Sequence, residues 1–506
     1  MNRYYLFSII LFFSYFGQLA AQDTFSKGLS FNYPACVITS IEVTDSSYYA
    51  SGVIADSIFP YNTGIVFSKF DFNGNLQQNS VLTDTSKTYE SWKNALKTLP
   101  DGNLILAGFS SYQEGMLVKF TPEGDTLFVT EYMSPYFQEN PWFVMRDLVP
   151  LPDGDFAFTA IIERENFDND ILLTRVDSTG QILWQKIFGE ETDEAAHSLL
   201  ATNDGGLLIG AGKAGLGLYM VKTDGDGETE WIYTAPVPLA QSGALELYQL
   251  PNDDFIISSA RIMETPGGVL GINPFLFRLN SAMEWDWEVN FFDSLAGFDN
   301  ILTKILPLPD NEHFLAAGSG FVTLSDGNQN VGKLIKASYQ GDSIWTRYYH
   351  HTEKENARNL LYDLEATPDG GFIMCGQATG IENPSPENPN QQGWLLKVDE
   401  HGCLVPECHL ASSTIDLQEV SFEIKTYPNP ISSSSGDYLN VYFYHPKLRR
   451  EAVFQLVDVL GKVVLEFKSQ HGDITHMIPV SGLATGTYWL RCQVGDEIIS
   501  KQVVIE

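Results

Sequence analysis

The sequence predicts an all-β protein: a seven-bladed β-propeller over residues 22–410, followed by a small immunoglobulin-like β-sandwich. Aromatic residues make up 13% of the chain, charged residues only 19%, and there are 42 glycines, a mixture that favours strands and turns over charged surface helices. A short turn motif recurs through the middle of the chain at steps of 48 to 59 residues. Beyond Cys408 the pattern of turns changes, which indicates a separate domain.

The composition also excludes some classes of protein. The chain has 506 residues, and its 64 acidic and 30 basic side chains leave a net charge of −34. Such a chain repels phosphate backbones, which excludes non-specific nucleic-acid binding. Five cysteines exclude a disulfide-dense scaffold, while a hydrophobic content of 44% is sufficient for a large core.

The N-terminus has the features of a secretory signal peptide. One arginine, Arg3, precedes an apolar run from Tyr4 to Phe16, and small residues follow. We predict a signal peptide over residues 1–21, with cleavage between Ala21 and Gln22. The apolar run is too short to cross ~30 Å of hydrocarbon, so a membrane anchor is the weaker interpretation, and we expect no transmembrane segment in the mature chain.

The repeats are marked by two independent features. The recurring turns are marked by Asp45, in a weaker first copy, and by the third residues of the full copies, which are Asp101, Asp153, Asp204, Asn252, Asp310 and Asp369. After each turn an apolar stretch ends in one cation: Lys69, Lys119, Arg175, Lys222, Arg278, Lys336 or Lys397. Each unit divides into four short strand-like runs, and four strands per repeat predict a propeller, with a β-solenoid as the alternative. We expect each cation to lie beside the aspartate of its own turn, as Lys119 beside Asp101, in a structural role.

The ends of this region predict ring closure. The last repeat has a weak fourth strand, interrupted by Pro406, whereas Phe25-Ser26-Lys27 matches the fourth-strand opening Trp184-Gln185-Lys186. We therefore expect residues 25–31 to complete the final blade. The region resembles the Gly- and Asp-turn propeller repeats of exported bacterial surface proteins, a resemblance that implies no activity.

After a linker at 411–420, residues 421–506 carry four ordered motifs. Their key residues are Tyr427, Pro428, Asn429, Pro430, Gly461, Leu483, Gly486 and Tyr488, and the chain closes with a strand-like segment from Lys501 to Glu506. This succession resembles the type A C-terminal sorting domain of the type IX secretion system. The resemblance implies type IX secretion machinery and its sorting-domain peptidase as partners. It also implies release, or attachment to the outer surface of the outer membrane of a Gram-negative bacterium. A carbohydrate-binding or spacer sandwich is the alternative.

No motif in the sequence identifies catalysis, a cofactor or a metal site. Gly210-Ala211-Gly212-Lys213-Ala214-Gly215 matches a dinucleotide-binding pattern, but a strand, not the required helix, is expected after it. The acidic run from Asp224 to Glu230 alternates oxygen ligands as calcium loops do, yet residue 235 is alanine where such loops place glutamate. We interpret this run as an ordinary hairpin turn, with calcium as the alternative.

Two cysteines near the end of the propeller are candidates for a disulfide. Cys403 and Cys408 are five residues apart in an exported segment, where a bridge would hold the last strand. The alternative is two buried thiols. Cys36, Cys375 and Cys492 are expected to stay unpaired.

The candidate binding residues lie in the connections that vary between repeats. These connections share one face of the propeller, and binding residues usually lie in loops carried by a rigid scaffold. The aromatic candidates are Tyr61, Tyr136, Phe137 and Trp142, against the alternative that each only packs its own loop. We expect a non-catalytic binding or adhesion module for glycan or protein. The alternative is a hydrolase acting on polysaccharide, which needs two carboxylates of raised pKa around the channel.

Overall fold

The structure is a computed structural model. It describes residues 23–505, apart from 57–61, 137–141, 165–167, 191, 215–216, 236–244, 265–269, 291–299, 325–326, 353, 355, 382–388, 406–407, 409–422, 428, 432–437, 445–452, 460, 469–474, 481 and 495–496. The signal peptide, its cleavage site at Ala21 and Gln22, and the linker therefore lie outside the described residues. All the described elements are strands, as the composition predicts. Within the described residues, no helix is long and apolar enough to cross a membrane.

Most of the region up to residue 398 is built from four-stranded antiparallel sheets of the propeller kind, and a single parallel pairing of Ala35 with Gln391 joins the first sheet to the last. The first sheet contains β2 (Ala35–Val43), β3 (Tyr48–Ala55), β4 (Thr63–Phe70) and β5 (Leu76–Leu82), and β1 (Phe25–Leu29) precedes it in the chain. The second contains β6 (Tyr89–Glu90), β7 (Leu96–Thr98), β8 (Leu104–Ser110), β9 (Glu114–Phe120) and β10 (Thr126–Met133). The third contains β11 (Phe143–Pro150), β12 (Phe156–Glu163), β13 (Asn169–Val176) and β14 (Ile182–Phe188). The fourth contains β15 (Glu194–Ala201), β16 (Leu207–Lys213), β17 (Gly217–Thr223) and β18 (Thr229–Thr234).

The remaining sheets of this region follow the same order. The fifth contains β19 (Glu246–Gln249), β20 (Phe255–Glu264), β21 (Leu270–Leu279) and β22 (Trp285–Asn290). The sixth contains β23 (Ile301–Pro307), β24 (His313–Leu324), β25 (Gly327–Ser338) and β26 (Ser343–Tyr349), and the last begins with β27 (Asn359–Ala366), β28 (Phe372–Thr379) and β29 (Gln391–Val398). First strands of neighbouring sheets, such as β11 with β15 and β23 with β27, contact one another. The first strands therefore form an inner ring around the common axis, and we call the space that they enclose the channel.

The N-terminal strand completes the last sheet, as the sequence predicts. β1 pairs antiparallel with β29, from Phe25 opposite Lys397 to Leu29 opposite Gly393. Phe25 then packs against Gly74 in the first sheet, where Lys27 also donates to the Asn73 carbonyl at 2.6 Å. The two ends of the propeller region thus share one sheet and hold its neighbour in place.

The aromatic residue of each outer strand has a packing role that the sequence did not reveal. Trp184 lies against Gly227, in the turn between the third and fourth strands of the next sheet, and Trp345 lies against Gly402, in the turn that follows β29, the third strand of the last sheet. These glycines have φ of +79° and +71°, and a Cβ there would meet the indole ring. The turn therefore requires glycine for two reasons: its backbone has a positive φ, and the indole ring occupies the space that a Cβ would need.

The strand-end cations pair largely as the sequence predicts. Lys119 lies 3.0 Å from Asp101, Lys222 lies 2.9 Å from Asp204, and Lys397 lies 3.0 Å from Asp369. Arg175 pairs with Asp153 and Arg278 with Asp254, again at the first turn of the same sheet. Lys69 differs, because its ammonium points toward the Pro122 carbonyl of the next sheet at 3.4 Å.

The C-terminal domain contains two further sheets. One is formed by β30 (Glu423–Tyr427), β31 (Tyr438–Tyr444) and β34 (Thr475–Pro479). The other is formed by β32 (Val453–Asp458), β33 (Val463–Lys468), β35 (Gly486–Val494) and β36 (Glu497–Ile505), in the order β33-β32-β35-β36. A shared apolar cluster includes Leu439, Phe454 and Leu490, all fully buried. The cluster draws on both sheets, which gives this domain a core of its own.

The cysteines fall into two groups. Cys403 and Cys408 form a disulfide, with Cα atoms 5.5 Å apart. Cys36, Cys375 and Cys492 are free and buried. Burial raises the pKa of the Cys36 and Cys492 thiols to about 12, so both stay protonated and unreactive at neutral pH.

Candidate ligand-binding face and channel

The connections of the propeller differ sharply between its two faces. Turns that join the first and second strands have four or five residues in every sheet, from 44–47 to 367–371. Connections that join the second and third strands range from two residues at 325–326 to eleven at 380–390. Alternate connections of an up-and-down sheet lie at opposite ends, so the variable connections share one side with the sheet-to-sheet crossings. We call this side the variable face.

A stacked aromatic pair is exposed on the variable face. The Tyr112 and Trp142 rings are 4.9 Å apart at an interplanar angle of 16°, and the residues are 36% and 38% exposed. Tyr112 lies in the three-residue connection 111–113 between β8 and β9, where Ser111 and Tyr112 both have positive φ, 46° and 58°. Its hydroxyl donates to the Glu90 carboxylate at 3.0 Å, and burial together with that carboxylate raises the pKa of Tyr112 to about 12. The phenol therefore stays protonated and fixed as a donor.

The predicted aromatic candidates have different surroundings. Trp142 is one half of the exposed pair. Tyr136 is only partly exposed: its hydroxyl donates to Asp170 at 2.9 Å and its ring packs against a buried apolar cluster. Tyr61 and Phe137 lie outside the described residues. Of the sequence candidates that the structure describes, Trp142 is thus the one best placed for a ligand.

The channel is shaped by a bulge that recurs in the first strands. In five sheets the pairing with the second strand shifts by one residue at the same place. The residues at the bulge are Thr39, Arg146, His197, Thr303 and Tyr362. A bulge re-aims a side chain relative to the alternation of the strand, which is why period-two patterns in the sequence did not reveal these positions.

Carboxylates that follow the bulge join neighbouring sheets. Asp147 accepts the backbone N–H of Leu199 in the next sheet at 2.8 Å, and Asp363 accepts that of Ile41 at 3.0 Å. Each also accepts the N–H of its own following residue, at 2.8 and 2.9 Å. Burial, with a contribution from Glu246, raises the pKa of Asp147. Burial acts the same way on Asp363, but the Lys304 ammonium at 3.3 Å, Lys97 and the two backbone N–H bonds together outweigh it, and the pKa of Asp363 is lowered.

One segment of the second sheet crosses the channel. The first strand of that sheet is split into β6 and β7, and the residues between them leave the strand path. Lys93 reaches the Glu246 carboxylate of the fifth sheet at 2.9 Å and the Thr303 carbonyl of the sixth at 3.1 Å. Asn94, with φ of 58°, donates to Glu246 at 3.1 Å and accepts from Lys304 at 2.6 Å. This crossing segment ties opposite sides of the ring together.

Arg146 and Trp92 meet beside the crossing segment. The Arg146 Nε donates to the Ala196 carbonyl at 3.1 Å, and its guanidinium carbon lies 4.7 Å from the centre of the Trp92 ring. Burial lowers the pKa of Arg146 to about 10, which leaves it charged at neutral pH. Burial, then Arg146 and Lys93, lowers the pKa of His197 to about 3, so this imidazole is neutral. Trp92 remains 45% exposed.

Sequence reasoning missed Tyr112, Trp92 and Arg146. A signal for the first was present, because Tyr112 stands in a short hairpin connection at a position where Asn or Gly is usual. For Trp92 the signal was the irregular run Ser91-Trp92-Lys93-Asn94, which interrupts the first strand of its repeat. Arg146 had no local signal in the sequence, since the bulge determines the direction in which its side chain points.

The acidic turn considered as a calcium loop is held by its own backbone. The Asp224 carboxylate accepts the N–H groups of Asp226 at 3.0 Å and Glu228 at 2.9 Å. Gly210 to Lys213, from the dinucleotide-like run, form the end of β16, and β17 begins at Gly217. Within the described part of the chain, no group of three or more His, Cys, Asp or Glu side chains is arranged to hold a metal.

The motifs of the C-terminal domain have identifiable contacts. The Asn429 amide donates to the Gln502 carbonyl at 2.7 Å and its oxygen accepts the Val504 N–H at 2.9 Å, so the first motif is bonded to the final strand. The Tyr488 hydroxyl donates to the Ala484 carbonyl at 2.7 Å. Pro428 lies outside the described residues.

No curated protein matches the chain. Solved structures that resemble it include a protein of unknown function from Bacteroides caccae, with 11% identity and a TM-score of 0.37 over 62% of this chain and 94% of that one. Another is a protein of unknown function from Dyadobacter fermentans, with 13% identity and a TM-score of 0.41 over 63% and 97%. A third is the GH93 α-L-arabinofuranosidase of Fusarium graminearum, with 11% identity and a TM-score of 0.41 over 61% and 93%.

The family comparison concerns the C-terminal part of the chain. Residues 425–506 match the model of the secretion system C-terminal sorting domain. The match covers the motifs from Tyr427 to Tyr488 and the final strand. The resemblance stated from those motifs is therefore confirmed: this chain carries a C-terminal sorting domain of the type IX secretion system at residues 425–506.

Proposed function

We propose that the protein is a non-catalytic binding or adhesion module, for glycan or protein, delivered by type IX secretion. The observation that carries the proposal is the exposed Tyr112–Trp142 pair on the variable face. Two stacked rings held by a hydrogen bond to Glu90 form a rigid apolar surface with little conformational entropy to lose on binding. Such a surface suits the flat apolar side of a sugar ring or an apolar side chain.

The channel supports a binder over a catalyst. A hydrolase needs an acid and a base that are free to exchange protons with substrate. Asp147 and Asp363 instead use both carboxylate oxygens for backbone N–H groups of two sheets, and Glu246 is engaged by the crossing segment. These hydrogen bonds indicate that the three carboxylates have a structural role.

A polysaccharide hydrolase is the second candidate, and one observation favours it. Burial raises the pKa of both Asp147 and Glu365, and Glu365 keeps 26% of its side chain exposed. Glu365 lies 3.9 Å from the Lys304 ammonium and is the channel carboxylate best placed to act as a general acid. Asp147 is a poor partner for it, since that residue is only 4% exposed.

The proposal includes a seven-bladed ring and an immunoglobulin-like sandwich as its scaffold. The shared sheet of β1 and β29 supports closure of the ring, and the two sheets around one apolar core support the sandwich. The sorting domain supports a final location outside the cell, either released or attached to the outer membrane surface. A binding module on that surface would face ligands directly.

The test is a glycan array with the mature protein, followed by a turnover assay on each glycan bound. Trp142→Ala and Tyr112→Ala should weaken binding, while Ile344→Ala, which truncates an exposed apolar residue of an outer strand, should not. Multiple turnovers that Glu365→Gln abolishes and Trp142→Ala leaves intact would replace the binder with the hydrolase.

A further inference from the structure

Arg146 differs from the other cations of the channel. Lys93, Lys97 and Lys304 each lie within 4.0 Å of a carboxylate, at 2.9, 3.7 and 3.3 Å respectively. Within the described residues, Arg146 has no such partner: its contacts are the Ala196 carbonyl and the Trp92 ring. A partly buried cation without a counter-charge is unfavourable, so this residue needs an explanation.

The guanidinium has donors to spare. An arginine carries five N–H donors, and the bond to Ala196 uses only the one on Nε. The terminal nitrogens form a fork whose spacing matches the two oxygens of a carboxylate. Trp92 holds one face of the guanidinium and is itself 45% exposed, so an apolar ring surface lies directly beside the unused donors.

We propose that Arg146 and Trp92 form a subsite for the carboxylate-bearing ring of an acidic saccharide. The inference rests on the proposed binding function and names its ligand class. The carboxylate would accept two N–H bonds from Arg146, and the sugar ring would lie against Trp92. The charge that the protein leaves uncompensated would then be supplied by the ligand.

The position of the subsite favours an extended chain of sugars. Arg146 lies four residues after Trp142 along the β11 path, roughly 13 Å at the rise of an extended strand. A ligand that stacks on the Tyr112–Trp142 pair at the variable face could therefore continue inward to Arg146. Aromatic rings at both points suit successive sugar rings, and an acidic peptide is the competing ligand that the experiment must exclude.

The probes are tetragalacturonate, its fully methyl-esterified form and a pentaglutamate peptide, titrated into the mature protein by calorimetry. We expect tetragalacturonate to bind at least about tenfold more tightly than the ester, since a charge-assisted bidentate pair is of that size. Arg146→Gln should remove this preference, because its amide can still donate to the Ala196 carbonyl but carries no charge. Lys119→Gln, which removes a cation at a strand-end turn, should preserve it.

Trp92→Leu is the second variant, so that misfolding of one variant does not decide the result. It should weaken both oligosaccharides, and thermal unfolding of each variant verifies its fold. Equal affinity for the acid and the ester, a preference that survives in Arg146→Gln, or tighter binding of pentaglutamate would each overturn the proposal. Glycans that bind through Trp142 without any effect of Arg146→Gln would overturn this inference alone, whereas multiple turnovers that Glu365→Gln abolishes would overturn the proposed function.

Discussion

Replacement of Asp363 by alanine should destabilise the propeller severely. Asp363 is fully buried, accepts the N–H groups of Ile41 and Leu364, and lies 3.3 Å from Lys304, whose side chain is only 11% exposed. Breaking a buried ion pair typically costs 3–5 kcal/mol, and each orphaned buried N–H adds roughly 1–3 kcal/mol where water cannot reach it. Glu365, 3.9 Å from Lys304, would compensate part of the loss. We therefore expect the free energy of unfolding to fall by at least about 4 kcal/mol.

The assay is urea unfolding of the mature protein, followed by tryptophan fluorescence, with two further variants. Asp101→Ala is the matched control: it removes a carboxylate that is half exposed and pairs with Lys119 at 3.0 Å, so it should cost about 1 kcal/mol or less. The double variant Asp363→Ala/Lys304→Met removes both buried charges and should recover at least about 2 kcal/mol of the single-variant loss.

Two outcomes would refute this reasoning. If Asp363→Ala costs no more than Asp101→Ala, the carboxylate does not hold adjacent sheets together as its hydrogen bonds indicate. If the double variant is as unstable as the single one, the loss comes from the orphaned N–H groups of Ile41 and Leu364 and not from an unpaired Lys304 charge.

Three further predictions concern other parts of the chain. Because the pKa of His197 is lowered to about 3, only the unfolded state protonates this imidazole as the pH falls below ~6.5. Between pH 7 and pH 5 the free energy of unfolding should therefore drop by about 2 kcal/mol more in the natural protein than in His197→Gln. His401→Gln, at an exposed turn, is the control. Truncation at Ser421 should leave the protein in the periplasm of its native host, and normal surface delivery would contradict the sorting assignment. Mass spectrometry of the unreduced mature protein should find Cys403 joined to Cys408, and free thiols at both would refute the bridge.

Much of the propeller could be predicted because its repeats mark local chemistry. A turn aspartate and a strand-end cation are read directly from the sequence, and pairs such as Lys119 with Asp101 follow from hairpin geometry. Closure by the N-terminal strand could also be predicted, since Phe25 and Lys27 repeat the pattern of Trp184 and Lys186. In each case the residues that allow the prediction lie within one repeat or match the corresponding residues of another repeat.

The contents of the channel could not be predicted for the opposite reason. A bulge moves one residue out of the strand alternation, and no residue type is required at that point: Thr39, Arg146, His197, Thr303 and Tyr362 all occupy it. The crossing segment depends on contacts between residues about 150 to 210 positions apart, such as Lys93 with Glu246 and Asn94 with Lys304. Such contacts exist only once the ring has closed.

The repeat symmetry itself separates structural channel residues from ligand-binding ones. Thr303 and Arg146 occupy equivalent bulges, and each donates one bond at 3.1 Å to the carbonyl that precedes the bulge site of the next sheet, Leu361 for Thr303 and Ala196 for Arg146. Thr303 makes this bond with its single hydroxyl. Arg146 makes the equivalent bond with one of its five N–H donors, and it adds a positive charge that the fold does not need at this position. The surplus of donors and charge at Arg146, over what the equivalent threonine supplies, is therefore the part of the side chain left for a ligand.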